Sequence, residues 1–395
     1  MPGHTPVLLA AGMILLAINL RPAAASVGPL IHRIRHDTGL SGTGAGVLTT
    51  LPVLCFGALA PLAPALARRF GSHVALAGAL VLLLLGLLIR VLPGTALLFA
   101  GTALAGTAVA VGNVLLPVMV SRSFPQRAGI MTGLYAAALI GFAALAAGVT
   151  VPIANWLGGG WRTGLVIWAA PVAMALAVWL IALRGRRGET PAGDAHEQMR
   201  GARMLMRSRL AWAVTLFFGI QSASFYATLA WLPSIFESHG ASEAKAGLLL
   251  SITLIVGVGT ALTVPPTAAR LRQQRGLVLV FTGFIAAGWI GILAAPMSAP
   301  YLWAVLLGIG QNACFPLALT LIVLRAGSVA TTSALSTLVQ SVGYGLAALA
   351  PLAIGALHDI TNSWTAPLVV LLALVAPQAF VGYAAGADRT VAAGQ

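Results

Sequence analysis

Residues 7–31 read VLLAAGMILLAINLRPAAASVGPLI, with Asn19-Leu20-Arg21-Pro22 near the middle of the run. At about 1.5 Å rise per residue, an apolar helix of this length crosses a bilayer. One guanidinium therefore stands at membrane depth. Arginine at the centre of a membrane helix costs roughly 2.5–3.5 kcal/mol on insertion scales, and such residues face a bundle interior or a wet cavity. The stretch predicts a membrane-spanning fold, with Arg21 as an anchor for an anion. Two rival readings are an ion pair with a carboxylate on another helix and a side chain that snorkels to the interface.

Composition extends this reading to the whole chain. Its 395 residues are 59% hydrophobic and 8% charged, with a mean hydropathy of +0.96, which excludes an ordinary soluble domain. The net charge of +14 comes from arginines and one lysine, Lys245, against eight acids. In a soluble protein that excess would point to nucleic acid. Here the bias of cytoplasmic loops toward basic residues accounts for it. Cys55 and Cys314 fall in apolar runs with no ligand spacing, so they read as packing residues and not as a disulfide or a metal site. The opening run mimics a signal peptide, but it lacks a basic start and carries Arg21-Pro22 before Ala23-Ala24-Ala25-Ser26. It reads as a retained first helix.

Twelve apolar runs of about membrane-spanning length follow one another: 7–31, 43–66, 73–92, 95–119, 128–150, 161–183, 210–232, 244–265, 276–295, 300–323, 332–356 and 364–386. The widest gap is charge-rich and holds seven arginines with Glu189, Asp194 and Glu197. The expected organisation is all-α: a six-helix bundle over 1–183, a cytoplasmic linker over 184–209 and a second six-helix bundle over 210–395. With the N-terminus inside, the inner loops and tail carry sixteen basic residues, Arg325 among them, and the outer loops five: Arg33, Arg35, Arg90, Arg162 and Lys245. That bias places both termini in the cytoplasm. Arg33 and Arg35, beside the first run, stand against the trend.

The halves echo each other. Gly112-Asn113-Val114-Leu115-Leu116-Pro117 aligns with Gln311-Asn312-Ala313-Cys314-Phe315-Pro316, and Gly141-Phe142-Ala143-Ala144-Leu145-Ala146 with Gly345-Leu346-Ala347-Ala348-Leu349-Ala350. Two parallel six-helix repeats are the pattern of a transporter that rocks about a midplane site.

All eight acids lie in expected loops or at helix ends, as do the histidines, so a dedicated intramembrane proton relay is not expected. Uptake of an anion against an inside-negative potential costs about 2.3 kcal/mol per 100 mV, so import needs a co-ion, a protonated solute or downhill consumption. Polar groups at membrane depth are Asn19, Arg21, Asn113, Tyr135, Gln221, Tyr226, Gln311, Asn312, Gln340 and Tyr344. Guanidinium, amide and phenol donors together suit a small carboxylate-like or linear anion. Each amide can equally serve as an interhelical hydrogen bond. Trp231, before Pro233, reads as a cavity wall or as part of an aromatic belt. Gly257-Val258-Gly259 and Gly308-Ile309-Gly310 follow no strand, so they read as close helix packing and not as dinucleotide loops. No phosphate-binding lysine loop, catalytic constellation or metal-ligand cluster is present, and neither an enzyme nor a cofactor is expected. Prolines 22, 29, 117, 233, 316 and 351 are candidate kinks.

Asn19-Leu20-Arg21-Pro22 with Ser26-Val27-Gly28-Pro29-Leu30, Trp231-Leu232-Pro233 and Gln340-Ser341-Val342-Gly343-Tyr344 resemble the cyanate and 2-nitroimidazole transporter family of the major facilitator superfamily. The likeness covers essentially the whole chain. It implies a twelve-helix fold in a bacterial inner membrane, spans one, four, seven and ten around the cavity, and solutes such as cyanate or nitroimidazoles. The superfamily's loop between spans two and three usually reads Gly-x-x-x-Asp-Arg-x-Gly-Arg-Arg. Here Pro64 stands for the glycine and Arg68 for the aspartate, a departure that bears on the usual charge latch and not on the fold.

The sequence thus reads as a monomeric carrier of a small anionic or polar solute, bound by Arg21 with Asn19, Asn113, Tyr135, Gln221, Tyr226, Trp231, Gln311, Asn312 and Gln340. Its partners are that solute and the bilayer, with no nucleic acid. The alternatives are efflux of neutral planar compounds against Trp231, Tyr226 and Phe225, and a non-transporting membrane receptor.

Overall fold

The computed structural model describes residues 4–40, 42–184 and 205–391, so residues 185–204 of the expected linker lie outside the described residues. Among the described residues the regular structure is helical throughout. Eleven helices are long and apolar enough to cross a membrane, and a bent pair, Gly46–Ala58 with Leu62–Phe70 at 57°, brings the count to twelve. The unbroken spans are the third (Ser72–Ile89), fourth (Thr95–Ser123), fifth (Ala128–Trp156), seventh (Arg209–Ser238), eighth (Glu243–Arg270), ninth (Arg275–Ala294), tenth (Pro300–Ala326) and eleventh (Val329–Thr361). The sixth runs as Trp161–Val166 and Ala169–Arg184, the twelfth as Thr365–Ala373 and Val375–Ala385. Twelve passes return the chain to its starting side, here called the termini end.

Prolines act in two ways. Pro22 starts a one-turn helix, Pro22–Ala25, and ends His4–Leu20. With no N–H to give, it cannot continue the first helix's ladder. Pro29 sits in a 3₁₀ turn, Gly28–Leu30, and a short helix, Ile31–Thr38, follows. Pro117, Pro233, Pro316 and Pro351 instead stand inside unbroken helices, where each leaves the carbonyl four residues earlier without an intrahelical donor.

Burial separates central from peripheral helices. Of the most apolar window in each span, 83% is buried in the fourth and tenth and 67% in the seventh, against 22% in the fifth and 33% in the eighth. The peripheral pair nonetheless joins the two halves. Along one face of the fifth span, Gly129 and Gly133 meet the eighth: a Cβ on Gly129 would lie 2.6 Å from Ala269 Cβ and from the Pro265 carbonyl, and one on Gly133 3.0 Å from the Ala261 carbonyl. Only hydrogen on those α-carbons permits this approach. Two turns further, at Gly141, the nearest atom recedes to 3.9 Å, on Val258. The two helices approach most closely at the termini end. On the opposite side, Gly57 of the second span sits against the eleventh, 2.9 Å from Gly345 N by the same measure.

Two arginines counted with the loops lie inside the protein. Arg90, expected in an outer loop, is fully buried at the end of the third span. Its Nη1 donates to the Ala23 carbonyl at 2.6 Å, and its Nη2 to the Leu165 carbonyl at 3.2 Å and to Ser26 Oγ at 3.4 Å. Both carbonyls belong to short helices, Pro22–Ala25 and Trp161–Val166, where a cation suits the exposed acceptor ends. Arg325, expected in an inner loop, is buried at the end of the tenth span and donates to the Ala385 carbonyl at 3.0 Å and to Gln274 Oε1. The basic bias survives both corrections. Arg33 and Arg35 also acquire a local reason, since Arg33 donates to Asn155 Oδ1 at 2.8 Å and Arg35 to the Leu40 carbonyl at 3.4 Å.

Candidate functional site

The break at Arg21-Pro22 turns one side chain toward the seam between the halves. Arg21 Nη1 donates to Tyr226 Oη of the seventh span at 3.3 Å, and its Cζ lies 5.0 Å from the centroid of Phe315 in the tenth. Tyr344 of the eleventh span lies within electrostatic reach of both Arg21 and Tyr226. Among the described residues no carboxylate pairs with Arg21, and the ion pairs found involve Asp37, Asp388 and Asp359 only. A structural ion-pair role therefore has no partner here. The phenols supply oxygen acceptors but no compensating negative charge.

Aromatic rings wall this cation. Phe218 meets Tyr344 edge-on at 5.2 Å and Phe315 at 6.1 Å, and Phe56 meets Tyr344 from the other half at 5.3 Å. Phe225 packs on Tyr226 at 5.5 Å. Edge-to-face contacts of this kind fix ring orientation as well as bury area.

Several polar atoms are buried without a partner on another helix: Arg21 Nε, Asn113 Nδ2, Ser341 Oγ, and the Tyr135 and Thr132 hydroxyls, which lie beside each other one turn apart. All five can act as donors, the Nε–H of the cation itself among them. Leaving each open costs about 1–3 kcal/mol, which a bound acceptor-rich molecule would offset. Tyr135 is within electrostatic reach of Tyr344, and the neighbouring Gly112 packs on Leu20, next to Arg21. The set draws on spans one, four, five, seven, ten and eleven.

The other candidates take up different positions. Asn19 donates to the Leu15 and Pro171 carbonyls at 2.7 and 3.2 Å, tying the first span to the sixth. Gln221 donates to the Gln311 carbonyl at 3.1 Å, and Gln311 donates to Ser224 and Thr228 hydroxyls at 3.1 and 2.8 Å, leaving its own Oε1 unpaired. Asn312 bridges to the Thr253 carbonyl of the eighth span at 2.8 Å. Gln340 reaches the Asn113 carbonyl at 2.7 Å. Trp231 donates to the Pro351 carbonyl at 2.8 Å and packs on Trp364 at 5.6 Å. In this arrangement the side chains of Asn19, Gln221, Asn312, Gln340 and Trp231 join helices, and Arg21, Asn113, Tyr135 and Tyr226 remain around the seam. Phe315 and Phe218 join the site without having been singled out, and Thr132 stands beside Tyr135. A phenylalanine in an apolar run gives no signal of its own, and for Phe315 only the adjoining Pro316 marks the turn.

A helical bundle of twelve membrane spans, with an unpaired cation and converging donors at the seam between its halves, defines a membrane transporter. The chain belongs to the Major Facilitator Superfamily, whose model matches residues 7–348. It is 41% identical to the uncharacterized transporter YycB of Bacillus subtilis, over 97% of this chain and 94% of that one. It is 38% identical to the 2-nitroimidazole transporter of Escherichia coli over 98% of both chains, and 30% identical to that organism's cyanate transport protein CynX over 89% of this chain and 90% of that one. Among solved structures the proton:xylose symporter XylE superposes with a TM-score of 0.81 at 15% identity, covering 100% of this chain and 99% of that one.

Proposed function

We propose that this secondary transporter carries a small anionic or strongly polar, acceptor-rich solute of the cyanate type, with Arg21 as its binding charge. The observation that carries the reading is the Arg21 guanidinium, held at the break within the first span, with Nε buried and unpartnered and no carboxylate beside it among the described residues. An uncompensated cation in low dielectric attracts a counter-ion strongly. Tyr226 already accepts from Arg21, so its own hydroxyl proton is free to donate. With Asn113, Tyr135 and Ser341 it completes a donor shell for a molecule that is all acceptor. The relative named for cyanate transport supports the same solute class.

In this reading 1–183 and 210–395 are two bodies that rock about Arg21, joined by the 184–209 linker. The protein acts as a monomer in a bacterial inner membrane with both termini cytoplasmic, an orientation supported by the basic residues at the termini end. A second reading, efflux of nitroimidazole-like planar compounds, is favoured by one observation: the ring cluster of Phe218, Phe315, Phe56 and Tyr344 offers flat faces beside the cation, and the relative named for 2-nitroimidazole shares 38% of its residues.

Competition in reconstituted vesicles separates the two. Labelled cyanate should enter by counterflow and be displaced by other small anions but not by neutral planar heterocycles. Displacement by 2-nitroimidazole alone, with no cyanate entry, would move the assignment to the second reading.

A further inference from the structure

Side-chain hydrogen bonds join the six spans before the linker to the six after it at two places. One is Arg21 to Tyr226. The other connects the eleventh span to successive carbonyls of the fourth: Gln340 Nε2 donates to Asn113 O at 2.7 Å, and Ser336 Oγ to Val114 O at 3.0 Å. Ser336 Oγ also accepts from Gln340 at 3.0 Å, so the pair acts together.

The reason for this contact is written in the fourth span. Pro117 stands four residues after Asn113 within an unbroken helix and has no N–H, so the Asn113 carbonyl has no intrahelical donor. In a membrane interior an orphaned carbonyl must find another partner. Gln340 supplies it from the opposite half. Both Gln340 and Asn113 are buried.

The halves part immediately on the termini side of this contact. A cavity of about 260 Å³ opens there, lined by Leu115, Val118 and Arg122 of the fourth span and Ala330 and Ser333 of the eleventh. On the other side of the contact lies the Arg21 cluster, where Asn113 Nδ2 is buried and unpartnered. One residue thus faces both ways, its amide toward the solute site and its carbonyl toward the opposite half.

We propose that Gln340 is a positioning residue that latches the termini-end gate through the carbonyl freed by Pro117, and not a solute ligand. This rests on the carrier reading above. While the latch holds, the Arg21 site and the termini-side cavity stay separate. A solute that accepts from Asn113 Nδ2 engages the residue whose carbonyl holds the latch, which links occupancy to opening.

The test is sided labelling of full-length protein carrying Ser341→Cys, with a membrane-impermeant maleimide applied to vesicles of either orientation and the signal of the unmodified chain subtracted. Gln340→Leu should raise labelling from the termini side about fivefold relative to the far side, the factor expected for one net hydrogen bond. Pro117→Ala returns an intrahelical donor to Asn113 O, so in that background Gln340→Leu should change the ratio by less than about twofold. An unchanged ratio in Gln340→Leu, or the same change in both backgrounds, overturns the proposal. If Gln340→Leu fails to insert, Ser336→Ala should move the ratio in the same direction, and no shift there overturns it equally. No solute is needed for this readout, so its failure is distinct from a failure of the anion assignment.

Discussion

Arg21 and Arg90, both enclosed by helices, should respond in opposite ways to the same substitution, Arg→Met. Arg90 is fully buried, and although its Nε is unpartnered like that of Arg21, it satisfies two main-chain carbonyls, Ala23 and Leu165, and the Ser26 hydroxyl. Methionine keeps an apolar stem of similar length but leaves both carbonyls open, at about 1–3 kcal/mol each. Removing the charge recovers part of its burial cost. The net expectation for Arg90→Met is a loss of about 2–4 kcal/mol. Arg21 has one hydrogen bond at 3.3 Å, one ring contact at 5.0 Å and an unpartnered Nε. Those gains, about 1 kcal/mol for the bond and about 0.5–2 kcal/mol for the cation over the ring, are matched or exceeded by the several kcal/mol needed to desolvate the charge. Arg21→Met should therefore leave stability within about 1 kcal/mol of the unmodified protein, or raise it, while abolishing transport. Thermal unfolding in detergent, followed by tryptophan fluorescence, reads both variants. If Arg21→Met lowered the midpoint as far as Arg90→Met, Arg21 would be a structural residue and the binding role refuted.

Three further outcomes follow from the geometry. Tyr226→Phe removes the oxygen that accepts from Arg21, and half-saturation for the transported solute should rise about fivefold with insertion intact, the equivalent of about 1 kcal/mol; unchanged half-saturation would take Tyr226 out of the site. Trp231→Phe loses the 2.8 Å bond to Pro351 O and should lower the unfolding midpoint with little change in half-saturation, so a large loss of affinity at full stability would restore Trp231 as a cavity wall. Gly129→Leu drives a side chain into Ala269 and Pro265, where even a Cβ would lie at 2.6 Å, and should force the termini end apart, seen as faster labelling from that side; labelling that stays as in the unmodified protein would show that the fifth and eighth spans do not seal it.

Much of this architecture is legible in the sequence because a membrane imposes a length on every helix. The twelve apolar runs correspond to the twelve spans, and Arg21 is conspicuous as the one charge in the middle of a run. Position along a helix reveals depth but not direction. Arg90 precedes Val91-Leu92-Pro93-Gly94, where an arginine reads as interfacial, and the carbonyls it binds lie 67 and 75 residues away. Main-chain acceptors leave no mark in a sequence. The amides show the same limit: Asn113 and Asn312 occupy matching places in the repeat, yet Asn312 bonds to the eighth span while Asn113 Nδ2 stays unpartnered. Gln340 reads as another donor for a solute until Pro117, in a different half of the chain, is seen to have freed the carbonyl it binds.

The most direct measurement of the Arg21 assignment is counterflow in proteoliposomes loaded with unlabelled cyanate, following labelled cyanate entry for the unmodified protein and for Arg21→Ala at matched reconstitution. The account predicts transient accumulation of label with the unmodified protein and none with Arg21→Ala. Equal accumulation by both would contradict it, because the solute would then cross without the charge at the centre of the first span.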